Sequence, residues 1–393
     1  MTSRILHVSG DFPDPIEAFK TPVIKSLLEL TADTFQHEVI SLNRVTPSLL
    51  RLASLLLNLS GDGALIQNEQ LFEFGRCLEY NAPGGGILHR TMLDRVGRHL
   101  ANIIDARESP IDLIVGHKLT IEGIVVAKAA HITGIPYALT IQGNTDRRIL
   151  DARPDLRGLF RSIYQGARAV STFTPVAKVA IEGMLGTRPD GIELIPCPTE
   201  LDGIVEPQDT NGNVISVFHL KNHEVKNLKG LADAAAQLVG EEAERRITII
   251  GGGSHAELAR CKLLTAKAMQ IDFAGPIERD AMQSTMNEAC ALVLPSHDES
   301  FGLVFIEALF AGLPIIYPKN TAIDGYFGDQ PFAQGVDASS PKAIAEAINR
   351  AIREERKMKK ALTEWQRSGA AQFFTRARIA ERYARALGSA VAY

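Results

Sequence analysis

Short apolar runs alternate along the chain with longer amphipathic stretches, the pattern of strands buried on both faces of a parallel sheet and of the helices covering them. Residues 5–8, 111–115, 137–141, 167–170 and 192–195 read as such strands. Helices are expected from Thr21-Pro22 through Leu30, over 121–133, and after Thr174-Pro175, where a Thr N-cap followed by Pro at the first helical position marks a start. Another helix is expected over 48–59 after Thr46-Pro47; its leucines leave only a narrow polar stripe of Arg51, Ser54 and Asn58. Such a helix needs burial nearly all round, either within its domain, at a dimer contact, or against a membrane carrying a lipid-linked acceptor.

A polar, turn-rich stretch, Glu206 to Asn213, interrupts this series and reads as an exposed linker. Beyond it the pattern restarts, with strands expected over 214–218, 247–250, 271–274, 291–294 and 315–317 and helices over 228–239, from about 300–302 to Gly312, and over 373–387. Two Rossmann-like α/β domains follow, an N-terminal one over 1–203 and a C-terminal one over 204–372.

The second domain contains the most informative segment, Pro295 to Pro314, P-S-H-D-E-S-F-G-L-V-F-I-E-A-L-F-A-G-L-P. A strand ends at Leu294, a polar loop follows, and a helix starts around Ser300, Phe301, Gly302 and Leu303. Its first N–H groups lack intrahelical partners and the positive end of its dipole lies behind them, so the start of this helix is an anion site. Glu299 precedes that site and Glu307 lies about a turn and a half inside the helix with its side chain tilted back, so both carboxylates border one pocket. Hydroxyl-accepting carboxylates beside a phosphate site suit a sugar nucleotide.

Composition narrows the partners. The 393 residues carry 42 Lys and Arg against 46 Asp and Glu, a net charge of −4 with no dense basic block, which argues against nucleic acid. Four scattered cysteines, without C-x-x-C, fit a reducing compartment and no zinc site. The chain opens on a strand rather than a leader, and no apolar run reaches the roughly 18 to 20 residues of a spanning helix. A cytoplasmic protein is expected, with any membrane contact peripheral; a basic helix near Arg90, Arg95 and Arg98 would assist such contact or form a solvated face.

The 295–314 segment closely resembles the donor-site signature of the retaining family 4 glycosyltransferases, which have the two-domain GT-B fold. The resemblance extends more weakly over almost the whole chain. It implies a central cleft, a nucleotide-sugar donor bound by the C-terminal half, and an acceptor, glycan or lipid-linked saccharide, bound by the N-terminal half. In polysaccharide or glycolipid biosynthesis such an enzyme moves a hexosyl unit from a UDP- or GDP-sugar. By the same resemblance Glu299 faces the donor sugar and Glu307 binds the ribose. Lys226 neutralises the diphosphate, and Gln142 stands where the family commonly has a histidine near the reaction centre. Glutamine hydrogen-bonds a hydroxyl but does not titrate. The family arginine that precedes the lysine is matched by His219 through strand alignment or by Lys221 through spacing. Gly253 and Gly275 mark turns beside the donor, and the terminal helix, 373–393, is expected to return to the N-terminal domain.

No cofactor is expected. No D-x-D occurs, so positive side chains and a helix start are expected to serve in place of a metal. The G-x-G-x-x-A run from Gly251 to Ala256 raises a rival nicotinamide-dependent oxidoreductase. Asp272, however, opens the following strand instead of closing it, against the ribose-binding requirement. A catalytically degenerate nucleotide-sugar binder is the other alternative, suggested by Gln142 and the missing arginine and opposed by the presence of both glutamates.

Overall fold

The computed structural model describes residues 2–48, 53, 65–84, 86–210, 212–238 and 240–392. The chain divides into two compact units, the first made of 1–173, 177–197 and 379–393 and the second of 174–176 and 198–378. Residues 198–203 therefore pack with the second unit, where Thr199 and Glu200 find side-chain partners.

The first unit is built on eight strands: β1 (Arg4–Ser9), β2 (Gln36–Val45), β3 (Ile66–Phe72), β4 (Gly75–Asn81), β5 (Leu113–Gly116), β6 (Tyr137–Ile141), β7 (Val170–Thr172) and β8 (Glu193–Leu194). Their order is β3-β4-β2-β1-β5-β6-β7-β8. All neighbours are parallel except β3 and β4, which form an antiparallel edge ribbon. That ribbon departs from the purely parallel sheet expected. β3 leaves five of its seven residues exposed, so it lacks the apolar run by which a buried strand is recognised. β2 is hidden for the opposite reason, because polar residues lie inside it. Ser41 and Asn43 are buried and bond the carboxylate of Asp14 at 2.5 and 2.9 Å, joined by Lys20 at 2.8 Å. Burial opposes ionisation of Asp14, but these donors and the N–H of Glu17 prevail and lower its pKa to about 2. The loop after β1 is thereby pinned to β2.

The core of this unit is continuous from the sheet into the helices His89–Asp105 and Glu122–Thr133, with Val8, Leu93, Val96, Ile124 and Val125 all but inaccessible. The first helix of the chain runs Val23–Leu30, one residue later than expected; Pro22 takes the N-cap place and Thr21 Oγ1 accepts from the N–H of Val23 at 3.5 Å. The expected helix over 48–59 lies outside the described residues apart from Ser48 and Ala53.

The second unit is a six-stranded, fully parallel sheet of β9 (Val214–Val217), β10 (Ile247–Ile250), β11 (Ile271–Gly275), β12 (Ala291–Val293), β13 (Ile315–Pro318) and β14 (Ala333–Val336), ordered β11-β10-β9-β12-β13-β14. The strand order reverses between β9 and β12, and loops at the carboxyl ends of strands flanking such a reversal are where open α/β sheets bind ligands. The loops after β9 and β12 carry Lys226 and Glu299. The terminal helix runs Arg376–Val391 after a short 3₁₀ turn, Ala370–Phe374, a later start than the 373 expected. Its residues from Ile379 onward pack with the first unit.

Candidate functional site

β12 is fully buried and delivers the chain into the loop 295–302. The carbonyl of Glu299 accepts from Thr321 Oγ1 at 2.6 Å and from the N–H of Ala322 at 3.0 Å, which fixes the backbone at the carboxylate. The following helix starts at Leu303 rather than within 300–302, because Gly302 is its N-cap in a left-handed conformation, φ 81°. A Cβ at Gly302 would sit 2.6 Å from the Phe305 ring and 3.2 Å from Cγ of Glu299, so only glycine gives this helix its entry. Phe301 is buried and meets Tyr326 edge-on at 6.5 Å, whereas Ser300 is exposed at the turn. Leu303 opens an eight-residue helix, Leu303–Phe310, whose first N–H groups have no partner within it.

The carboxylate of Glu299 forms an ion pair with Lys226, and Ser296 Oγ lies at 3.5 Å. Both side chains are largely withdrawn from solvent, 19% exposed for Lys226 and 13% for Glu299. Asn227 holds the two loops together. From a left-handed backbone it donates to the carbonyls of Pro295 at 3.0 Å and Ala338 at 2.7 Å, while its Oδ1 caps the helix Leu228–Ala235 through the N–H of Gly230.

Glu307 lies on the same helix as Gly302's cap, 12% exposed, and accepts from Thr199 Oγ1 at 2.7 Å. Arg279 approaches it at 3.5 Å and bonds Glu200 at 3.0 Å. The second unit thus places Lys226 and Glu299 in direct contact and sets Glu307 on the helix that begins beside them. Thr199, Arg279 and Asn227 were not found from the sequence. Asn227 alone had a local signal, an Asn directly before a helix.

Other expected residues lie elsewhere. Lys221 and His219 are exposed; His219 Nδ1 accepts from the N–H of Lys221 at 3.2 Å and caps a 3₁₀ turn. The carboxyl of Glu257 is held below its usual range by the Ser254 N–H and further by the charges of His219 and Lys221. Gly253 belongs to a tight turn in which a Cβ would fall 2.7 Å from Leu220 Cβ, and Ser254 with Glu257 forms a capping box for the helix His255–Leu264. This glycine run therefore has a packing role, and Asp272 is engaged by Arg246 at the surface. Gly275 ends β11 and accepts from the N–H of Gly251 at 2.9 Å. Gln142 follows β6 in the first unit, and its buried Nε2 has no hydrogen-bond partner among the described residues.

The first unit also holds ionisable groups that the sequence did not reveal, because they lie 30 and 110 positions apart. His117 Nε2 meets His7 Nδ1 at 3.0 Å, His7 Nε2 meets His37 Nδ1 at 2.9 Å, and His37 Nε2 meets Thr31 Oγ1 at 2.9 Å. Burial lowers all three pKa values, to about 4 for His37 and about 3 for His117. Glu122 is also buried and accepts from the Gly10 N–H at 2.6 Å; burial raises its pKa to about 7 against the pull of Lys118. Among the described residues no group of three His, Cys, Asp or Glu is arranged to hold a metal.

Known structures share this architecture over nearly the whole chain. A sucrose-phosphate synthase from Thermosynechococcus elongatus superposes with a TM-score of 0.69 at 16% identity, covering 98% of each chain. A lipopolysaccharide outer core galactosyltransferase gives 0.68 at 16% identity, over 98% of this chain and 99% of that one. HepE of Anabaena, solved in complex with UDP, gives 0.64 at 15% identity, over 98% of this chain and all of that one. The fold is GT-B, two parallel-sheet α/β domains. Residues 203–368 match the family described as glycosyl transferases group 1. Among curated relatives, a D-inositol 3-phosphate glycosyltransferase of Acidothermus cellulolyticus is 26% identical over 190 residues, 43% of this chain and 42% of that protein. One from Streptomyces avermitilis is 32% identical over 120 residues, 28% of this chain and 25% of that protein. The chain thus matches less than half the length of these relatives.

Proposed function

We propose that the protein is a retaining, metal-independent glycosyltransferase that moves a hexosyl unit from a nucleotide-diphosphate sugar to a glycan or lipid-linked saccharide. The observation that carries this reading is the Lys226–Glu299 pair beside the start of the Leu303–Phe310 helix, with Glu307 one turn further in. A cation and helix N–H groups suit a diphosphate, and two carboxylates suit sugar and ribose hydroxyls. The donor exchanges partners within the pair: Lys226 turns to the diphosphate, and Glu299 accepts from hydroxyls of the sugar. In the transfer, the bond from the anomeric carbon to the β-phosphate oxygen breaks with its electron pair leaving on the diphosphate. The acceptor oxygen bonds to that carbon on the same face, and its proton passes to the departing phosphate oxygen. Lys226 and the helix start stabilise the charge that grows there.

The complexes of HepE with UDP and with UDP-glucose favour a UDP-hexose as donor. No described helix is long and apolar enough to cross a membrane, and we place the protein in the cytoplasm, at most peripheral on the membrane's cytoplasmic face. The test is to incubate the protein with UDP-, GDP- and ADP-sugars and measure nucleoside diphosphate release, with and without EDTA. Release from one base class, insensitive to chelator, is expected. A protein that neither binds nor turns over any member refutes the reading, and activity abolished by EDTA and restored by manganese refutes its metal-independent part.

A further inference from the structure

The helix His255–Leu264 carries its apolar stripe on the outside. Of its ten residues only Cys261 is buried, and the pole opposite Cys261 presents Ala256, Ala259 and Leu263 at i, i+3 and i+7, all exposed. Leu263 is 79% exposed, Leu264 beside it 38%, and Met269, in the turn that leads into β11, 79%. A helix that covers a sheet turns such a stripe inward; on the outer pole it marks a surface that another molecule covers.

The charge around the stripe has one sign. No Asp or Glu occurs between Glu257 and Asp272, a stretch that holds Arg260, Lys262 and Lys267. Arg260 is paired with Glu224 at 2.6 Å and Asp272 with Arg246, whereas Lys262 and Lys267 are exposed and form no ion pair among the described residues. Glu257 is held in the capping box. Arg246 Nη1 donates to the carbonyl of Met269 at 2.9 Å, which fixes this end of the stripe at the amino ends of β10 and β11. Lys226 and Glu299 follow the carboxyl ends of β9 and β12 in the same sheet, so a molecule seated on Leu263 and Met269 leaves them uncovered.

We propose that this face docks an acidic amphipathic helix of a partner protein, whose apolar stripe lies along Ala256, Ala259 and Leu263 and whose carboxylates pair with Lys262 and Lys267. The i, i+3, i+7 spacing is that of helix-on-helix packing; the two alanines let a second helix approach closely, and Leu263 and Met269 supply the contact area. A bilayer would take up the two large side chains but gain little from the alanines. A second copy of the chain is disfavoured, because across a two-fold axis the same lysines would face one another with no carboxylate between them. The proposal goes beyond glycosyl transfer and does not depend on it.

The probe is a synthetic peptide of about 18 residues, long enough to hold a helix, with leucines at i, i+3 and i+7 and glutamates on both flanks, titrated calorimetrically into the full chain. Two counterparts replace every glutamate by lysine or scramble the order at constant composition. The acidic helix should bind at least about tenfold more tightly than either, and added salt should weaken it. Leu263→Asp should lower its affinity at least about tenfold, and Lys262→Gln combined with Lys267→Gln about fivefold. Urea midpoints followed by Trp365 fluorescence show that these variants are folded without recourse to nucleotide. The proposal is overturned if the acidic peptide does not bind at about 1 mM, if the three peptides bind alike, or if Leu263→Asp leaves the affinity unchanged. Tighter binding to phosphatidylglycerol vesicles than to the peptide, lost in Leu263→Asp, assigns the face to a membrane, and a dimer that dissociates in the same variant assigns it to a second copy; either result also overturns the proposal.

Discussion

Removing either member of the Lys226–Glu299 pair leaves the other charge stranded in a site that water reaches poorly. With 19% and 13% of the two side chains exposed, the pair lies between an exposed ion pair, worth roughly 0.2 to 1 kcal/mol, and a buried one whose disruption costs about 3 to 5 kcal/mol. Contact attraction at an effective dielectric near 20 sets a ceiling of about 4 kcal/mol before desolvation is charged against it. A coupling energy of about 1 to 2 kcal/mol follows, so Lys226→Ala combined with Glu299→Ala should cost less than the sum of the single variants by that amount. Trp365 is the sole tryptophan, packed among Phe327, Phe332 and Phe374 at centroid distances of 5.9, 5.4 and 6.2 Å, so its fluorescence in urea reports the second unit alone. The pair also sets ligand affinities. Glu299→Ala releases Lys226 and should leave free nucleoside diphosphate bound as tightly as in the parent protein or more so, while sugar-nucleotide binding and transfer fall. Lys226→Ala should depress turnover by about 2 to 4 kcal/mol of barrier. Stabilities additive to within about 0.5 kcal/mol, or weaker diphosphate binding in Glu299→Ala, would refute the account.

Glu307→Ala should weaken free nucleoside diphosphate by about 1 to 3 kcal/mol, and Thr199→Val, which keeps the carboxylate but removes its 2.7 Å bond from Thr199 and the 3.1 Å bond that Thr199 Oγ1 accepts from the Leu201 N–H, by less; unchanged affinity in a folded Glu307→Ala would remove its ribose assignment. Gly302→Ala should destabilise the second unit by about 2 to 4 kcal/mol in Trp365-monitored urea titrations, through the left-handed backbone and the 2.6 Å approach to Phe305, and a stability equal to the parent's contradicts this. In acid the first unit should weaken. His7, His37 and His117 are held neutral well below 6.5 in the native state, so the unfolded chain binds their protons first and stability falls as pH drops below about 6.5. Glu122, raised to about 7, acts oppositely, binding its proton in the native state between about 4.5 and 7. Three histidines outweigh one glutamate, and the net of two protons sets a ceiling of about 2.7 kcal/mol per pH unit between pH 6 and 5. Hydrogen exchange of first-unit amides at pH 7.5 and 5.5 checks this, and equal protection at both refutes it.

The donor loop was legible in the chain because its signals are local. An apolar run before Pro295, a polar loop, a glycine at the helix start and Gly312 with Pro314 at its end are all encoded within twenty positions, and Glu299 and Glu307 fall in register with them. Lys226 was legible through its resemblance to a loop lysine. The contact between Lys226 and Glu299 was not, since 73 positions separate them and only the parallel pairing of β9 with β12 brings their loops together. Thr199 reaches Glu307 across 108 positions, a proximity that no local pattern encodes. The sequence reading missed β2, β3, β4 and β14: β3 is exposed and lacks an apolar run, and the inward Ser41 and Asn43 of β2 are stable only because Asp14 and Lys20 satisfy them. Periodicity and turn chemistry act over a few residues and are written in sequence. Hydrogen-bond satisfaction and charge pairing depend on which distant segments the sheet order makes neighbours, and that is decided only when the chain has folded.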